Sequence, residues 1–262
     1  MIGYRTRLFL ILWTVGIVGV LSFLLVDISA LVASMPPSSD VPAELRPPLL
    51  LKLASIIQPT VLMSVFVLVG IVLTPRLGLH APAAEAAARG ENIFEKLAPQ
   101  IFPGVVAGLC SGVALVFIWI IAKPYFSSEF VARAEGFNAF IPHAVRILYG
   151  GFTEEILLRW GVMSVLAWAA WRVLQGGEGK PNSIYMIVAI VLSSLLFGAG
   201  HLPVASMLNG GLTLPIVIYV VGGNSLFGIV AGFLFWKKGF EAAVIAHMCA
   251  HVVLIAAIYL SI

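Results

Sequence analysis

Charge is what this sequence has least of. Only 15 basic and 12 acidic residues occur among 262, or 10%, whereas 61% are hydrophobic and the mean hydropathy is +1.07. Soluble domains carry about 25% charged residues, so a soluble fold is excluded. Cysteine is nearly absent. Cys110 and Cys249 both fall inside apolar segments and read as small buried hydrophobes, so neither a disulfide framework nor a redox compartment follows. There is no basic run. The net charge of +3 comes from Lys and Arg scattered through short loops, where they set membrane orientation; nucleic acid is not an expected partner. No internal repeat is visible.

Long apolar runs are what the chain has. Seven can be drawn: Leu8–Val26, Leu49–Leu73, Ile101–Ala122, Pro142–Leu174, Ile184–Gly200, Leu212–Trp236 and Phe240–Leu260. Most approach the ~20 residues that span a bilayer as a helix, and only helices and closed barrels satisfy their own backbone in lipid. The expected fold is all-α, a polytopic bundle of about seven transmembrane helices forming one compact membrane domain. Arg5 and Arg7 precede the first run, and Ala30–Ser34 resembles a cleavage site. At 19 residues, however, the run exceeds the 7–15 of a signal-peptide core, so it reads as a first membrane helix. The fourth run is too long for one crossing. Its first turns, with His143 and Arg146, are expected at the interface, and Gly150-Gly151 as a kink.

The loop Asp27–Pro48 is rich in Pro and Ser and reads as irregular. Residues 81–97 contain Glu85 and Arg89 at i, i+4, with Ile93, Phe94 and Leu97 on one apolar side; they read as a helix on the membrane surface or as a solvated connector. Nine Lys and Arg lie on the N-terminal side (Arg5, Arg7, Arg76, Arg89, Lys96, Arg172, Lys180, Lys237, Lys238) and four on the other (Arg46, Lys52, Lys123, Arg133). That bias puts the N-terminus and residues 81–97 in the cytoplasm, in a plasma or inner membrane.

Chemistry is concentrated in Gly151–Trp160, G-F-T-E-E-I-L-L-R-W. Ionisable groups in a membrane helix cost about 2.5–3.5 kcal/mol each on insertion scales and mark functional sites by default. Glu155 and Arg159 share a face at i, i+4 and can pair. Glu154 is rotated about 100° away and is left to find another partner. His201 ends the fifth run in F-G-A-G-H, with Phe197 one turn earlier. His247 and His251 fall at i, i+4 in H-M-C-A-H, a spacing that suits a divalent metal such as zinc and equally suits two donors aimed at one oxygen. Two carboxylates, an arginine and three histidines on three membrane helices reduce their cost by converging, and they supply what amide hydrolysis needs. They include a group to take a proton from water, donors or a metal for the oxyanion, and a cation to keep a carboxylate ionised. No Ser or Cys sits in a nucleophile motif, so attack by water is expected. In the sixth run, Gly228 and Gly232 form a G-x-x-x-G packing pattern. Asn224 is expected to hydrogen-bond across helices or to contact substrate. Depth is unreconciled: Glu154 lies roughly 27 Å along its helix from Arg172, but His247 only about 10 Å from Phe240.

The three motifs E-E-I-L-L-R, F-G-A-G-H and H-M-C-A-H together resemble the signature of the CAAX-protease and bacteriocin-processing (CPBP, Abi) family of intramembrane proteases. The family pattern is E-E-x-x-x-R, F-x-x-x-H and H-x-x-x-N or D. The resemblance covers roughly Pro142–Leu260 and makes 131–262 the catalytic core, with 1–130 as N-terminal membrane helices. It implies an endopeptidase acting on membrane-associated substrates, prenylated proteins or leader peptides, within the bilayer. Glu154 and His201 would activate water, Glu155 and Arg159 would pair, Phe197 would shape the pocket, and His247 would face the oxyanion or a metal. His251 stands where the family has Asn or Asp. This departure tilts the expectation towards a metal held by His201, His247 and His251, with a metal-free mechanism as the alternative. It also leaves open a non-catalytic immunity or scaffold protein of the same fold.

Overall fold

The computed structural model describes residues 3–28, 30 and 48–260. The expected irregular loop at 27–48 and the cleavage-like Ala30–Ser34 lie largely outside the described residues. The described chain is helical, with no strand among the described residues. Ten helices follow in order: α1 Tyr4–Leu21, continued by a 3-10 turn Ser22–Leu25; α2 Pro48–Leu77; α3 Pro82–Arg89; α4 Ile93–Ala122; α5 Ser128–Phe140; α6 His143–Leu174; α7 Ser183–Gly200; α8 Leu202–Asn209; α9 Leu214–Lys237; and α10 Phe240–Tyr259. Seven of the helical segments are long and apolar enough to cross a membrane. The protein is an integral membrane protein, as its composition requires.

Residues 81–97 do not form one surface helix. The chain breaks at Gly90, whose φ of 76° is left-handed and ends α3. Asn92 then caps a new helix, its side chain accepting from the N–H groups of Phe94 and Glu95. Ile93, Phe94 and Leu97 are therefore the first turns of the third membrane helix. Ala83, Ala86 and Ala88 bury one side of α3 against the bundle, and Glu85 pairs with Arg89 at 3.1 Å. A polar knot fixes this corner. Glu241 accepts from the Ala84 N–H (2.9 Å) and the Gln100 amide (3.0 Å), while the Gln100 carbonyl oxygen accepts from the Ala242 N–H (3.0 Å).

Close backbone approach assembles the rest. Gly104, Gly108 and Gly112 run down one side of α4 and meet Ala242, Ala246 and Ala250 of α10. A Cβ on Gly104 or Gly112 would stand 2.9 Å from the opposing carbonyl oxygen. Lipid gives no hydrophobic drive to helix pairing, so such contact supplies the adhesion. Gly228 and Gly232 of α9 lie against Ser194 and Ile190 of α7, as the G-x-x-x-G spacing leads one to expect. Gly16 and Gly19 of α1 let that helix press on α6, where Thr153 donates to the Gly16 carbonyl at 2.8 Å.

Two cysteine expectations need correction. Both thiols are free, but Cys110 is exposed on α4, on the side away from α10, and Cys249 is half-buried beside Gly108. The sixth run's cross-helix bond comes from Ser225, which donates to the Ser194 carbonyl at 3.0 Å. Asn224 turns back to the Val220 carbonyl of its own helix at 2.8 Å.

Candidate active site

Helix α6 carries the two carboxylates, and it is not an ordinary α-helix there. Arg146–Glu154 and Ile156–Met163 are π-helical, with hydrogen bonds to the fifth residue, before α geometry resumes at Ser164. The expected kink at Gly150-Gly151 is thus a widening of the helix. Such stretches collect at functional sites, because they re-aim side chains that α geometry would place elsewhere. Gly150 and Gly151 make the widening possible beside α10. A Cβ on Gly150 would lie 2.6 Å from His251 Nε2 and 3.2 Å from His247 Nε2, and one on Gly151 would meet the Met248 side chain.

Glu155 and Arg159 are fully buried, with Arg159 Nε 3.2 Å from Glu155 Oε2. This is an ion pair without hydrogen-bond alignment, since neither atom meets the angular requirement. The guanidinium lies over two aromatic faces, Phe197 at 5.0 Å and Phe227 at 6.0 Å, which adds cation–π attraction in a dry setting. The other oxygen, Glu155 Oε1, accepts from His247 Nδ1 at 2.8 Å. With a carboxylate as acceptor, the proton belongs on Nδ1, and the ring is held with Nε2 pointing the other way. There it faces Glu154, whose Oε2 stands 3.7 Å off. Glu154 retains 19% side-chain exposure while Glu155 has none. The two adjacent carboxylates are thereby separated in environment: Glu155 is dry, and Glu154 is within reach of water.

Phe197 organises the histidines. Its ring meets His201 edge-on at 4.8 Å and His247 at 5.9 Å, with the opposite contact made by Arg159. The His201 ring is oriented by Nδ1, which donates to the Phe197 carbonyl at 2.9 Å, so its Nε2 is left as the acceptor. His251 stacks on His247 with centroids 4.9 Å apart and planes 16° apart. Its Nδ1 is buried with no partner among the described residues. Glu154, Glu155, Arg159, Phe197, His201, His247 and His251 thus form one connected cluster from α6, α7 and α10. Asn224, expected as a substrate contact, makes its only described hydrogen bond within its own helix.

At the start of α10, the Phe240 ring is 5.8 Å from that of Trp160, and Phe235 also packs on Trp160 at 6.1 Å, so the first turn of α10 is seated against the middle of α6.

Among the described residues, no group of three or more His, Cys, Asp or Glu side chains is gathered so that it could hold a metal ion. His247 has already committed Nδ1 to Glu155, and His201 has committed Nδ1 to a carbonyl. Each bond leaves Nε2 free, and Nδ1 bonds to a carboxylate or a carbonyl are also the ones that orient metal-ligating histidines. A separate cleft lined by His80, Arg89, Lys96, Lys237 and Lys238 lies at the opposite end of the bundle and does not touch the cluster.

The sequence did not single out Arg146, Asn138 or the Gln100–Glu241 knot. A charged Arg146 eight residues before Glu154, in the same apolar run, was the available signal. Nothing in the sequence indicated that Asn138 would reach it.

A seven-span helical bundle with a buried carboxylate–arginine pair steering a histidine towards a second carboxylate defines a membrane protein built around a polar, ionisable centre. Residues 136–253 match the family model described as type II CAAX prenyl endopeptidase Rce1-like. That segment contains every member of the cluster, and over it the chain is similar to the CAAX-protease (CPBP) family, which is a protease family. No curated protein matches the chain. No solved structure matches it either.

Proposed function

We propose that this protein is an intramembrane endopeptidase that cleaves membrane-associated peptides with a water molecule activated by Glu154. The observation that carries the reading is the paired environment of the two adjacent carboxylates. Glu155 is locked between Arg159 and His247 Nδ1, while Glu154 is the partly exposed member facing His247 Nε2. Glu154 takes a proton from water as the oxygen bonds to the scissile carbonyl carbon. His201 Nε2, the acceptor left by its Nδ1 bond, orients that water. The carbonyl oxygen becomes an oxyanion, and protonated His247 offers Nε2–H to it. Collapse of the tetrahedral intermediate breaks the C–N bond, and the proton on Glu154 passes to the leaving amine. With His247 protonated, Glu154, Glu155, Arg159 and His247 sum to zero charge, which suits a buried site. No step in this reading is routed through a metal.

The substrates in this reading are membrane-associated, prenylated or leader-peptide chains, and the N-terminus faces the cytoplasm of a plasma or inner membrane. The test is turnover of a panel of membrane peptides by the purified protein and by Glu154→Gln. Cleavage by the first and not by the second is expected. Equal turnover by both would remove Glu154 from the mechanism, and no turnover by either would favour a scaffold role.

A further inference from the structure

The basic cleft at the far end of the bundle takes no part in the chemistry of the Glu154 cluster. It measures about 370 Å³, within the range of small-ligand sites, and is lined by His80, Arg89, Lys96, Trp236, Lys237 and Lys238. Four candidate membrane spans start or end around it: Leu49–Leu77, Ile93–Tyr125, Leu214–Lys237 and Phe240–Tyr259. The cleft therefore lies at the level of the lipid headgroups. Its carboxylates are used internally. Glu241 accepts from the Ala84 N–H and the Gln100 amide, while Glu85 accepts from the Ala81 N–H (3.1 Å) and pairs with Arg89. Those bonds close the helix starts at this corner and engage Arg89, which also donates to the Tyr4 hydroxyl at 3.2 Å. The lysines are not consumed in this way. Lys96 meets only the adjacent Glu95 at 2.9 Å, and both are exposed, so the contact is worth little. Lys237 and Lys238 form no ion pair among the described residues. The turn that carries these two is fixed. The N–H groups of Lys238 (2.7 Å) and Gly239 (3.1 Å) donate to the Leu234 carbonyl, and that of Phe240 donates to the His80 carbonyl at 3.0 Å. Gly239, with φ of 121°, is wedged so closely that a Cβ there would stand 2.6 Å from Gln100 Oε1. Two unpaired cations are thus held on one wall of a cleft by a rigid corner.

We propose that this cleft binds the phosphate of an anionic phospholipid, with Lys96, Lys237 and Lys238 as its cations and Trp236 beside the headgroup. Ammonium groups act as point charges from several directions, which suits a tetrahedral anion; the planar fork of Arg89 is already engaged. A soluble phosphate ester offers the same chemistry, and two observations favour the lipid. The cleft opens where the span ends meet. From it an aromatic pair descends along α9: Lys237 Nζ lies 3.4 Å from the Trp236 ring centroid, and the Trp236 ring is 6.0 Å from that of Phe233, which is exposed. An amphipathic indole is at home at that depth, and acyl chains attached to the phosphate would run beside Phe233. Clustered lysines next to membrane spans draw anionic headgroups. No residue of the cleft belongs to the Glu154 cluster, so the site stands or falls without the peptidase reading.

The experiment uses the full chain in detergent, titrated separately with phosphatidylglycerol, phosphatidylcholine, glycerol phosphate and inorganic phosphate. Two readouts are taken: the thermal transition, and the number of lipids retained per chain by native mass spectrometry. The variants are Lys96→Gln, the double substitution Lys237→Gln with Lys238→Gln, and, as a control, Arg5→Gln with Arg7→Gln, which removes two exposed cations that do not line the cleft. Phosphatidylglycerol should be retained at one per chain, and at about 100-fold above its Kd it should raise the transition by roughly 5–10 °C. Each lysine removed should weaken retention roughly five-fold, and the double substitution about 25-fold. Added salt should weaken it as well, because the lysines are exposed. The Arg5 and Arg7 control should bind as the wild type does. Retention counted per chain reads binding even where a substitution itself lowers the transition. Equal losses in the control and in the Lys237 and Lys238 variant would show general surface attraction and overturn the site. Equal retention of phosphatidylcholine would overturn the requirement for an anion. A rise as large with glycerol phosphate or inorganic phosphate would assign the cleft to a soluble phosphate ligand and overturn the lipid assignment.

Discussion

Replacing Arg159 by Leu removes the cation from a fully buried ion pair and leaves Glu155 with a single partner, His247 Nδ1 at 2.8 Å. Both side chains have zero exposure, so water cannot take over. Breaking one side of a buried pair costs about 3–5 kcal/mol. The cation–π contacts to Phe197 and Phe227 are lost as well, at about 0.5–2 kcal/mol together in a desolvated setting. For a chain of this size, each kcal/mol corresponds to roughly 2–4 °C, so the two losses together predict a fall of about 7–28 °C in the thermal transition of the detergent-solubilised protein. The loss resides mainly in the stranded carboxylate. Adding Glu155→Gln to Arg159→Leu should therefore recover a large part of it, because a neutral amide can still accept from His247 Nδ1. Glu155→Gln alone should be destabilising for the mirror reason, leaving Arg159 unpaired. A double variant no more stable than Arg159→Leu alone would refute the pairing argument, and a double-mutant cycle measures the coupling directly.

Glu154→Gln should lower turnover by at least ~100-fold, the usual scale of a general base. It should leave the thermal transition nearly unchanged, because Glu154 is partly exposed and makes only a 3.7 Å contact with His247; a large drop in stability would show a structural role. Gly150→Ala places a methyl 2.6 Å from His251 Nε2, so the two stacked rings must shift. An overpacking cost of about 1–3 kcal/mol is expected, with turnover lost beyond what the stability change explains, and kinetics of the folded fraction check this. His251→Asn restores the residue usual in the family and should be tolerated, with turnover within a few-fold of wild type. Chelators should leave turnover unchanged and elemental analysis should find no stoichiometric metal; chelator inactivation reversed by zinc would restore the metal-dependent alternative. Gly108→Val drives a branched side chain into the Ala246 backbone, 2.8 Å from where its Cβ would stand, and should reduce folded yield; normal yield would show that α4 and α10 have other means of close packing.

The sequence alone determined the membrane class, because apolar length and scarcity of charge leave a chain no other stable solvent. It also pointed to the residues that the fold gathers into one cluster, since ionisable groups placed in lipid have few reasons to be there. Glu155 with Arg159 was readable because i, i+4 neighbours share a helix face whatever surrounds them, and a pair survives even the π geometry at 3.2 Å. The π-helix itself was not readable. It depends on α10 pressing its histidines against Gly150, a contact 97 to 101 residues away in the chain. The split of 81–97 at Gly90 turned on one left-handed residue and on the cap at Asn92, both local, yet the apolar spacing of Ile93, Phe94 and Leu97 fits either arrangement. Spacing alone assigned Arg159 to Glu155 and left Glu154 unpaired; only tertiary structure decided that Glu155 is fully dry and that His247 stands between them, with its Nδ1 on one carboxylate and its Nε2 towards the other. The bond from Asn138 to Arg146 belongs to the same kind, because it arises where one helix folds back on the start of the next and leaves no periodic trace in the sequence.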